Sequence, residues 1–465
     1  MQPPRRVRLA VEIALAVFAA ALCWRAVAWA LRPGQFMILD ELSTQKWFLW
    51  GPYSSIVHFF PTSFYADRPI GFAFIRLLTD LFGFNYAHQV ACQLAVHLAN
   101  CALALLLFRR LGVGVALSLA GIGLYGSLTT TALTATYIGE AFDVLSLFFL
   151  LGSVLAAISE RRGAIWASAF LYLAALRSKE FAIVMPILLA ILLWRPIKDL
   201  ARLLWPHFTI LAIFGIRYLT LLPGYSAVSD AANPYHPEAR LSTVIDSLAY
   251  YTASIVSARP FPSVFLAVLF IVVFVWALAT GHTAIGFAVA AYILTLLPVC
   301  LMPNIRIPYW LYAPGLFLVL AVCLLLQKLL ARTLPIESRQ WTAAVCIALL
   351  CLVAAARFRR SPVLWHQSVR QICWRTAMDA RAQFPVLSAG THIYVDHGAE
   401  TPWLFVPGPC DYLLLVNKQR SISCEINKPR LELLERYDRD RGPKYFVEYH
   451  KDGSIAVIAR RGPTG

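Results

Sequence analysis

Apolar stretches of about 20 residues recur through the first three quarters of the chain, each bounded by Arg or Lys or by Pro or Gly. A helix of that length crosses the hydrocarbon core of a bilayer. Hydrophobic residues make up 59% of the chain and charged residues only 14%. The sequence therefore predicts a polytopic α-helical membrane protein with about eleven transmembrane helices. The predicted spans are 9–31, 87–108, 113–129, 133–158, 164–176, 181–194, 203–222, 262–280, 283–302, 310–330 and 341–357.

Basic residues fix the topology of these spans. The net charge of +16, from 41 Lys and Arg against 25 Asp and Glu, does not indicate nucleic acid, because most basic residues fall in short clusters between spans. Such clusters mark the cytoplasmic side, so the N-terminus lies inside and an odd number of spans leaves the C-terminus outside. The first span has no small-residue cleavage site and is predicted to be a signal anchor. The clusters are Arg5–Arg8, Arg109–Arg110, Arg161–Arg162, Lys198–Arg202 and Lys328–Arg332.

The first outer loop, residues 31–71, carries acidic residues that are candidates for catalysis. Asp40 and Glu41 are adjacent, and Asp67 and Arg68 follow later in the same loop. Carboxylates beside the hydrocarbon boundary are costly unless they face a wet cavity. The loop therefore predicts chemistry at the outer surface of the membrane, with Asp40 or Glu41 as the base and Asp67 beside the substrate. A solvated loop is the plain alternative.

Two predicted spans, 164–176 and 181–194, are too short to cross the bilayer separately. We expect them to form a hairpin whose tip lies at or just below the outer surface. The tip carries Arg177, Lys179 and Glu180, and charges at that depth need counter-charges or an anionic ligand. Arg177 and Lys179 are therefore candidates for binding such an anion, and Glu180 for lining the cavity.

Acidic residues also occur inside a span. Glu140 and Asp143 are three residues apart in the span 133–158, so they share one face of the helix. Two acids on one face usually mark a functional path, and both are candidate cavity residues. A structural ion pair with Arg177 or Lys179 explains them equally well.

A polar stripe runs along the second span. Gln89, Gln93, His97 and Asn100 follow one another at steps of four, four and three, which places all of them on one helical face. For the deeper pair, His97 and Asn100, hydrogen bonding between helices is the favoured interpretation. His88, near the outer end of the span, is the better candidate for a cavity residue.

Two outer segments follow in the second half of the chain. The predicted loop 223–262 contains several Pro and Tyr residues, which suits a lid or a loop that faces an acceptor. Arg306 stands among aromatic residues before the span 310–330. A guanidinium there can bind a lipid phosphate, although packing at the membrane interface accounts for it equally well.

Hydropathy falls from Phe358 onwards. The remainder predicts a small extracytoplasmic α/β domain, 358–465, after a transmembrane domain, 1–357. On that side of the membrane Cys410 and Cys424 are able to form a disulfide. Strands are predicted at 391–396, 412–416, 445–449 and 455–458, and helices at 368–384 and 429–436.

Several short motifs stand in a definite order along the chain. They are Asp40-Glu41, Tyr65–Pro69, Tyr86–His88 with His97–Asn100, Ser178–Glu180 and Arg306–Gly315. In order and topological placement they resemble the GT-C glycosyltransferase superfamily, and especially the O-mannosyltransferases with transmembrane and tetratricopeptide-repeat regions and their bacterial relatives. The resemblance covers residues 9 to about 330. The chain departs from the pattern at Ser127–Thr131 and Glu140, and the C-terminal α/β part takes the place of the repeats.

This resemblance implies an inverting transferase of the bacterial inner membrane. Such an enzyme moves a sugar from a polyprenyl-phosphate donor to a hydroxyl group of a protein, glycan or lipid outside the cytoplasm. The resemblance makes Asp40 or Glu41 the base that activates the acceptor hydroxyl. It also places Lys179, Arg306 and Arg68 near the donor phosphate, whose charge grows in the transition state.

Two other functions are considered from the sequence. A lipid transporter or flippase needs polar residues along a full path and usually an internal repeat, but no repeat is evident and the charges gather on the outer side. A non-catalytic scaffold of envelope glycan assembly needs only an anchor, which is far less than about eleven spans.

The sequence assigns no cofactor. Asp40 and Glu41 are able to share a divalent metal such as Mg²⁺ or Mn²⁺, yet no third ligand is apparent. The expected partners are the donor lipid, the hydroxyl acceptor and membrane lipid.

Overall fold

A computed structural model describes residues 68–159, 163–221, 235–255, 263–331, 344–350, 362–384, 387–396, 422–425, 429–450 and 454–461, with isolated positions elsewhere that include Glu41 and short helical pieces such as 12–17. Asp40, Asp67, Cys410 and the predicted strand 412–416 lie outside the described residues. Residues 12–17 and 344–350 are helical, in agreement with the first and last predicted spans.

Helices are the main elements in the described residues between 68 and 331. Each span predicted between residues 87 and 330 overlaps one of these helices. Turns of 3₁₀ helix occur at Ile138–Glu140, Glu180–Val184 and Pro308–Leu311. The helices are α1 (Pro69–Phe82), α2 (Tyr86–Arg110), α3 (Val115–Ser127), α4 (Thr129–Thr136), α5 (Ala141–Ala157), α6 (Ala164–Leu176), α7 (Met185–Leu193), α8 (Ile197–Leu221), α9 (Leu241–Ile255), α10 (Ser263–Ala279), α11 (Thr283–Cys300) and α12 (Tyr312–Leu330).

Among the described residues, five helical segments are long and apolar enough to cross a bilayer: α2, α8, α11, α5 with its preceding 3₁₀ turn, and α12 with its preceding turn. Helices α3 and α4 pass the same test together but meet at a bend of 65°. The helices α6, α7 and α10 are apolar but shorter. The described part thus shows five or six spans where the sequence predicts about eleven, because several predicted spans form helices too short to cross alone.

Outward-facing apolar side chains indicate a membrane location. Phe170 on α6, Leu219 on α8 and Val264 on α10 expose 71%, 68% and 64% of their surface. Large contiguous apolar surfaces are unfavourable in water, whereas lipid tails accept them. The chain is an integral membrane protein.

The polar side chains along one face of α2 form hydrogen bonds with neighbouring helices. His97 Nδ1 lies 2.7 Å from the Tyr312 hydroxyl of α12. The Asn100 amide donates to the same hydroxyl at 3.1 Å and to a backbone carbonyl of α5 at 2.8 Å. The Gln93 amide donates to carbonyl oxygens near the end of α4 at 2.8 and 2.9 Å. The interhelical interpretation of His97 and Asn100 is confirmed.

Helix α1 packs closely on α5 through a glycine. Pro69 occupies its first turn, where the fixed φ of proline suits a helix start. A Cβ atom built on Gly71 would stand 2.1 Å from the Phe142 ring, which is closer than two carbon atoms can approach. Glycine at this position therefore permits the contact between α1 and α5.

We expect Gly71→Ala to lower the free energy of unfolding by about 1–3 kcal/mol, because the added methyl group overpacks this contact. Thermal unfolding of the detergent-solubilised protein measures the effect. Gly215→Ala is the matched control, since a Cβ atom at Gly215 meets nothing within 4 Å. Phe142→Leu in the Gly71→Ala background should restore part of the lost stability; an unchanged melting temperature for Gly71→Ala would contradict the packing described.

Residues 241–255, in the second half of the chain, form a helix rather than part of a loop. Residues 241–255 form α9, although the sequence analysis assigns them to a long outer loop. Tyr251 is fully buried, and the Thr252 hydroxyl lies 2.6 Å from the Tyr292 hydroxyl of α11. The loop prediction is wrong for these residues because their apolar side chains recur at helical spacing and pack on α11.

The C-terminal part contains a four-stranded sheet with the order β2-β1-β3-β4. Strand β1 pairs in parallel with β2 and β3, and β3 pairs antiparallel with β4. Its elements are α13 (Pro362–Gln383), β1 (His392–Asp396), β2 (Ser423–Glu425), α14 (Arg430–Arg439), β3 (Lys444–Tyr449) and β4 (Ile455–Arg461). Three of the predicted strands and both predicted helices are thereby confirmed.

Cys424 on β2 takes part in a disulfide bond. The other cysteines that the structure describes carry thiol groups. Cys410 lies outside the described residues, so its pairing with Cys424 stays a prediction.

Candidate functional site

Five charged side chains meet where α1 and α5 begin and α6 ends. Lys179 Nζ lies 2.7 Å from a carboxylate oxygen of Asp143 and 3.3 Å from one of Glu140. Arg68 Nε donates to the Glu180 carboxylate at 2.9 Å. Electrostatic interactions also link Arg68 with Glu140 and Asp143. We call these five residues the charge cluster.

Breaks between helices place the members of the charge cluster. The chain makes a single 3₁₀ turn at Ile138–Glu140 before α5 begins, so Glu140 ends the turn and Asp143 lies in the first turn of α5. A carboxylate in a first turn is stabilised by the helix dipole. After α6 ends at Leu176, Lys179 adopts an extended backbone before the next 3₁₀ turn.

Hydrogen bonds from two buried serines stabilise the tip between α6 and α7, residues 177–180. Ser146 Oγ on α5 donates to the carbonyl oxygen of Ala175 at 3.0 Å. Ser178 is fully buried, and its hydroxyl donates to the carbonyl oxygen of Ala174 at 2.9 Å. The tip that carries Lys179 is therefore held against the start of α5.

The charge cluster contains three carboxylates and two cations, so its formal charge is negative. The side chains of Asp143 and Lys179 are only 4% and 11% exposed. Unpaired charges at such burial are costly, and each carboxylate of the cluster lies within ion-pair distance of a cation. The ion pair with Lys179 that the sequence offers for Glu140 and Asp143 is present, and their candidacy as cavity residues stays a prediction.

Glu41 lies in a second buried ion pair. Its two carboxylate oxygens accept hydrogen bonds from the Arg370 guanidinium at 2.7 and 3.0 Å. One of them also accepts from the Ile138 backbone N–H at 2.6 Å. Glu41 is 1% exposed, whereas a general base must reach the proton that it removes. In this geometry both oxygens of Glu41 are engaged by Arg370 and Ile138, and its role as a base stays a prediction.

Arg370 is the functional candidate that the sequence analysis misses. It comes from α13, 329 residues beyond Glu41, and its guanidinium lies 4.4 Å from the Tyr86 ring and 5.8 Å from the Tyr137 ring. Burial alone would lower the pKa of Arg370, but the facing Glu41 carboxylate raises it above its usual range. Nothing in the sequence distinguishes this arginine from the others of the same helix.

The remaining candidates take other positions. Arg306 is exposed and its guanidinium lies 5.2 Å from the Tyr250 ring, which agrees with the interfacial-packing alternative. Within the described residues, no ion pair joins Arg306 to the charge cluster. The backbone carbonyl oxygen of Arg177 accepts a hydrogen bond from the Ile70 N–H at the start of α1. His88 is exposed and stacks on the Phe82 ring with centroids 5.5 Å apart.

Asp40 and Asp67 lie outside the described residues, so their roles stay predictions. Among the residues that the structure does describe, no group of three or more His, Cys, Asp and Glu side chains is arranged to hold a metal ion. Because Asp40 would have to contribute to the metal site considered from the sequence, that site also stays untested.

A serine, a histidine and an aspartate also meet in the C-terminal sheet. Ser423 Oγ lies 2.6 Å from His392 Nδ1, and the Asp440 carboxylate lies 3.8 Å from the same nitrogen. A hydrolytic triad needs the acid and the nucleophile on different ring nitrogens. This group therefore lacks the geometry of a hydrolase site.

Comparison with known proteins gives a structural likeness only. No protein-family model and no curated protein matches the chain. The crystal structure of ArnT from Cupriavidus metallidurans in the apo state is similar, with a TM-score of 0.53 and 13% identity over 93% of this chain and 92% of that chain. The structure of ArnT from the same organism bound to undecaprenyl phosphate has a TM-score of 0.43 and 14% identity over 96% and 93%.

The likeness to the apo structure bears on the fold. It extends over the membrane helices and the C-terminal part alike, since it covers more than nine tenths of both chains. This chain therefore shares the overall fold of the ArnT structure in the apo state.

Proposed function

We propose that this chain is an inverting membrane glycosyltransferase that moves a sugar from a polyprenyl-phosphate donor to a hydroxyl acceptor on the extracytoplasmic side. The charge cluster is the observation that supports this function most directly. It holds two cations at a partly buried junction of helices, and one of them, Arg68, belongs to the predicted outer loop 31–71 that carries Asp40. The fold shared with ArnT and the motifs that resemble the GT-C superfamily support the same class of chemistry, with a protein, a glycan or a lipid as the acceptor.

Lys179 and Arg68 supply the positive charge that a donor phosphate needs. Each of them is paired with carboxylates, which keep it charged and in place. A phosphate oxygen can accept charge-assisted hydrogen bonds from both cations, and such bonds are among the strongest in proteins. Because the phosphate gains negative charge as the sugar leaves, these cations stabilise the transition state more than the bound donor.

Asp40 is the proposed base. Its neighbour Glu41 is occupied by Arg370 and Ile138, which leaves Asp40 as the acid of that pair able to serve the acceptor. The acceptor oxygen attacks the anomeric carbon while Asp40 takes the hydroxyl proton. The bond from that carbon to the phosphate oxygen breaks, its electron pair leaves with the lipid phosphate, and in-line attack inverts the anomeric centre.

An extracytoplasmic site agrees with the contacts of the C-terminal part. The Glu41–Arg370 pair joins α13 to one residue of the predicted first outer loop. A disulfide at Cys424 suits an oxidising compartment. We therefore assign residues 1–357 to a transferase domain of about eleven spans in a bacterial inner membrane, and residues 358–465 to an extracytoplasmic α/β domain.

Incubation of the purified chain in nanodiscs with undecaprenyl-phosphate sugars tests this function. We expect free undecaprenyl phosphate to appear only when a hydroxyl acceptor is supplied, and the Asp40→Asn protein to release it about 10²–10⁴-fold more slowly. Movement of the donor lipid across a vesicle membrane without its cleavage would contradict the proposal and favour a flippase. Donor binding without cleavage or movement would favour a scaffold.

A further inference from the structure

A buried ion pair connects the C-terminal part with the membrane helices. The side chains of Arg370 and Glu41 are 1% and 0% exposed, and their nearest atoms lie 2.7 Å apart. The pair has no access to bulk water, so its geometry is fixed by the protein around it. Few ion pairs are so fully enclosed, since burial removes the hydration of both charges.

This ion pair holds the backbone on both sides of Tyr137. Glu41 accepts the Ile138 N–H at 2.6 Å, and Arg370 donates to the Thr136 carbonyl oxygen at 3.4 Å. The Tyr86 hydroxyl donates to that same carbonyl at 2.8 Å. The turn Ile138–Glu140 follows directly, and its last residue belongs to the charge cluster.

The contacts of Glu41 also bear on Asp40, the proposed base, because the two residues are adjacent in the chain. Asp40 precedes Glu41 by one residue, and adjacent Cα atoms are about 3.8 Å apart. A shift of Glu41 therefore carries Asp40 with it. Arg370 thus fixes Glu41, the residue next to the proposed base, and the backbone before the turn that ends at Glu140.

We infer that Arg370 is a positioning residue for sugar transfer, through which the C-terminal part keeps Glu41, the chain neighbour of the proposed base, and the turn 138–140 in register. This inference rests on the proposed function. A misplacement of about 1 Å can cost about 10²-fold in rate even when the substituted residue is remote from the reacting atoms. The cations that bind the donor keep their own partners, because Lys179 is held by Asp143 and Arg68 by Glu180.

The test compares Arg370→Met and Arg370→Lys with Arg375→Met in the full chain in nanodiscs. Arg375 lies on the same helix and pairs with Asp452, but both side chains are more than half exposed, so its loss should change neither readout. Hydrogen exchange of the Ile138 amide reports the position of the turn and needs no substrate. Steady-state transfer from an undecaprenyl-phosphate sugar, normalised to folded protein, gives kcat and KM.

For Arg370→Met we expect Ile138 exchange to rise by about tenfold or more, kcat to fall by about 10²-fold and the donor KM to change by less than about threefold. Arg370→Lys should lie in between, because lysine keeps the charge but not the two-pronged geometry. Unchanged exchange, or faster exchange with an unchanged kcat, would overturn the inference. A wild-type chain that shows no turnover would count against the proposed function instead, while the exchange rate would still decide whether Arg370 holds the turn.

Discussion

Replacing Asp40 with Asn is expected to lower kcat for sugar transfer by about 10²–10⁴-fold, which is the usual contribution of a general base. Asparagine matches aspartate in size but cannot take the proton of the acceptor hydroxyl at neutral pH. The donor affinity should stay unchanged, because the proposed phosphate-binding cations are untouched. Acceptor-dependent release of undecaprenyl phosphate measures kcat, and equilibrium binding of the donor lipid measures affinity.

Two further substitutions sharpen this prediction. Asp80→Asn removes an acid that pairs with Arg76 on the exposed side of α1, so it should leave transfer unaltered. Glu41→Gln should instead lower the melting temperature, because it leaves the buried Arg370 guanidinium without its carboxylate. Normal turnover by the Asp40→Asn protein would remove Asp40 from the mechanism.

Replacing Lys179 with Met is expected to weaken both folding and donor binding. Loss of the ammonium group leaves the buried carboxylates of Glu140 and Asp143 uncompensated, and removal of one partner from a buried pair costs about 3–5 kcal/mol. Hydrogen bonds to charged groups contribute about 1.5–3 kcal/mol, so the donor Kd should rise by about 10–100-fold. Thermal unfolding and lipid-binding assays on the same preparation measure the two effects.

A double variant separates the two roles of Lys179. In Asp143→Asn/Lys179→Met the nearer carboxylate is neutralised together with the cation, so much of the lost stability should return. Donor affinity should remain low, because the phosphate still lacks its cation. If the double variant bound the donor lipid like the wild type, Lys179 would have a structural role only.

Local sequence patterns predict the helices and the membrane location because both depend on short segments. The apolar spans between residues 87 and 330 match observed helices, and the spacing of His97 and Asn100 predicts their contacts between helices. Helical periodicity also predicts that Glu140 and Asp143 share one face. The wrong loop prediction for residues 241–255 has a local origin as well, because the prolines on either side favoured a loop although the apolar residues between them recur at helical spacing.

The partners of the charged residues follow from the tertiary structure. Lys179 is adjacent to Glu180 in sequence, yet its ion pairs are with Glu140 and Asp143, while Glu180 pairs with Arg68. Charged side chains of one loop point in different directions once the helices on either side are packed. The sequence identifies these residues as candidates without deciding which of them compensate one another.

The sequence by itself determined that this chain is a helical membrane protein with acidic and basic residues gathered at the ends of its spans, because apolar length and charge placement act over about 20 residues. Only the tertiary structure decided that Glu41 and Arg370 form a buried ion pair. Through this pair the C-terminal part contacts the backbone beside the turn that precedes α5. These two residues are 329 positions apart, and a contact at that separation depends on how every intervening helix packs.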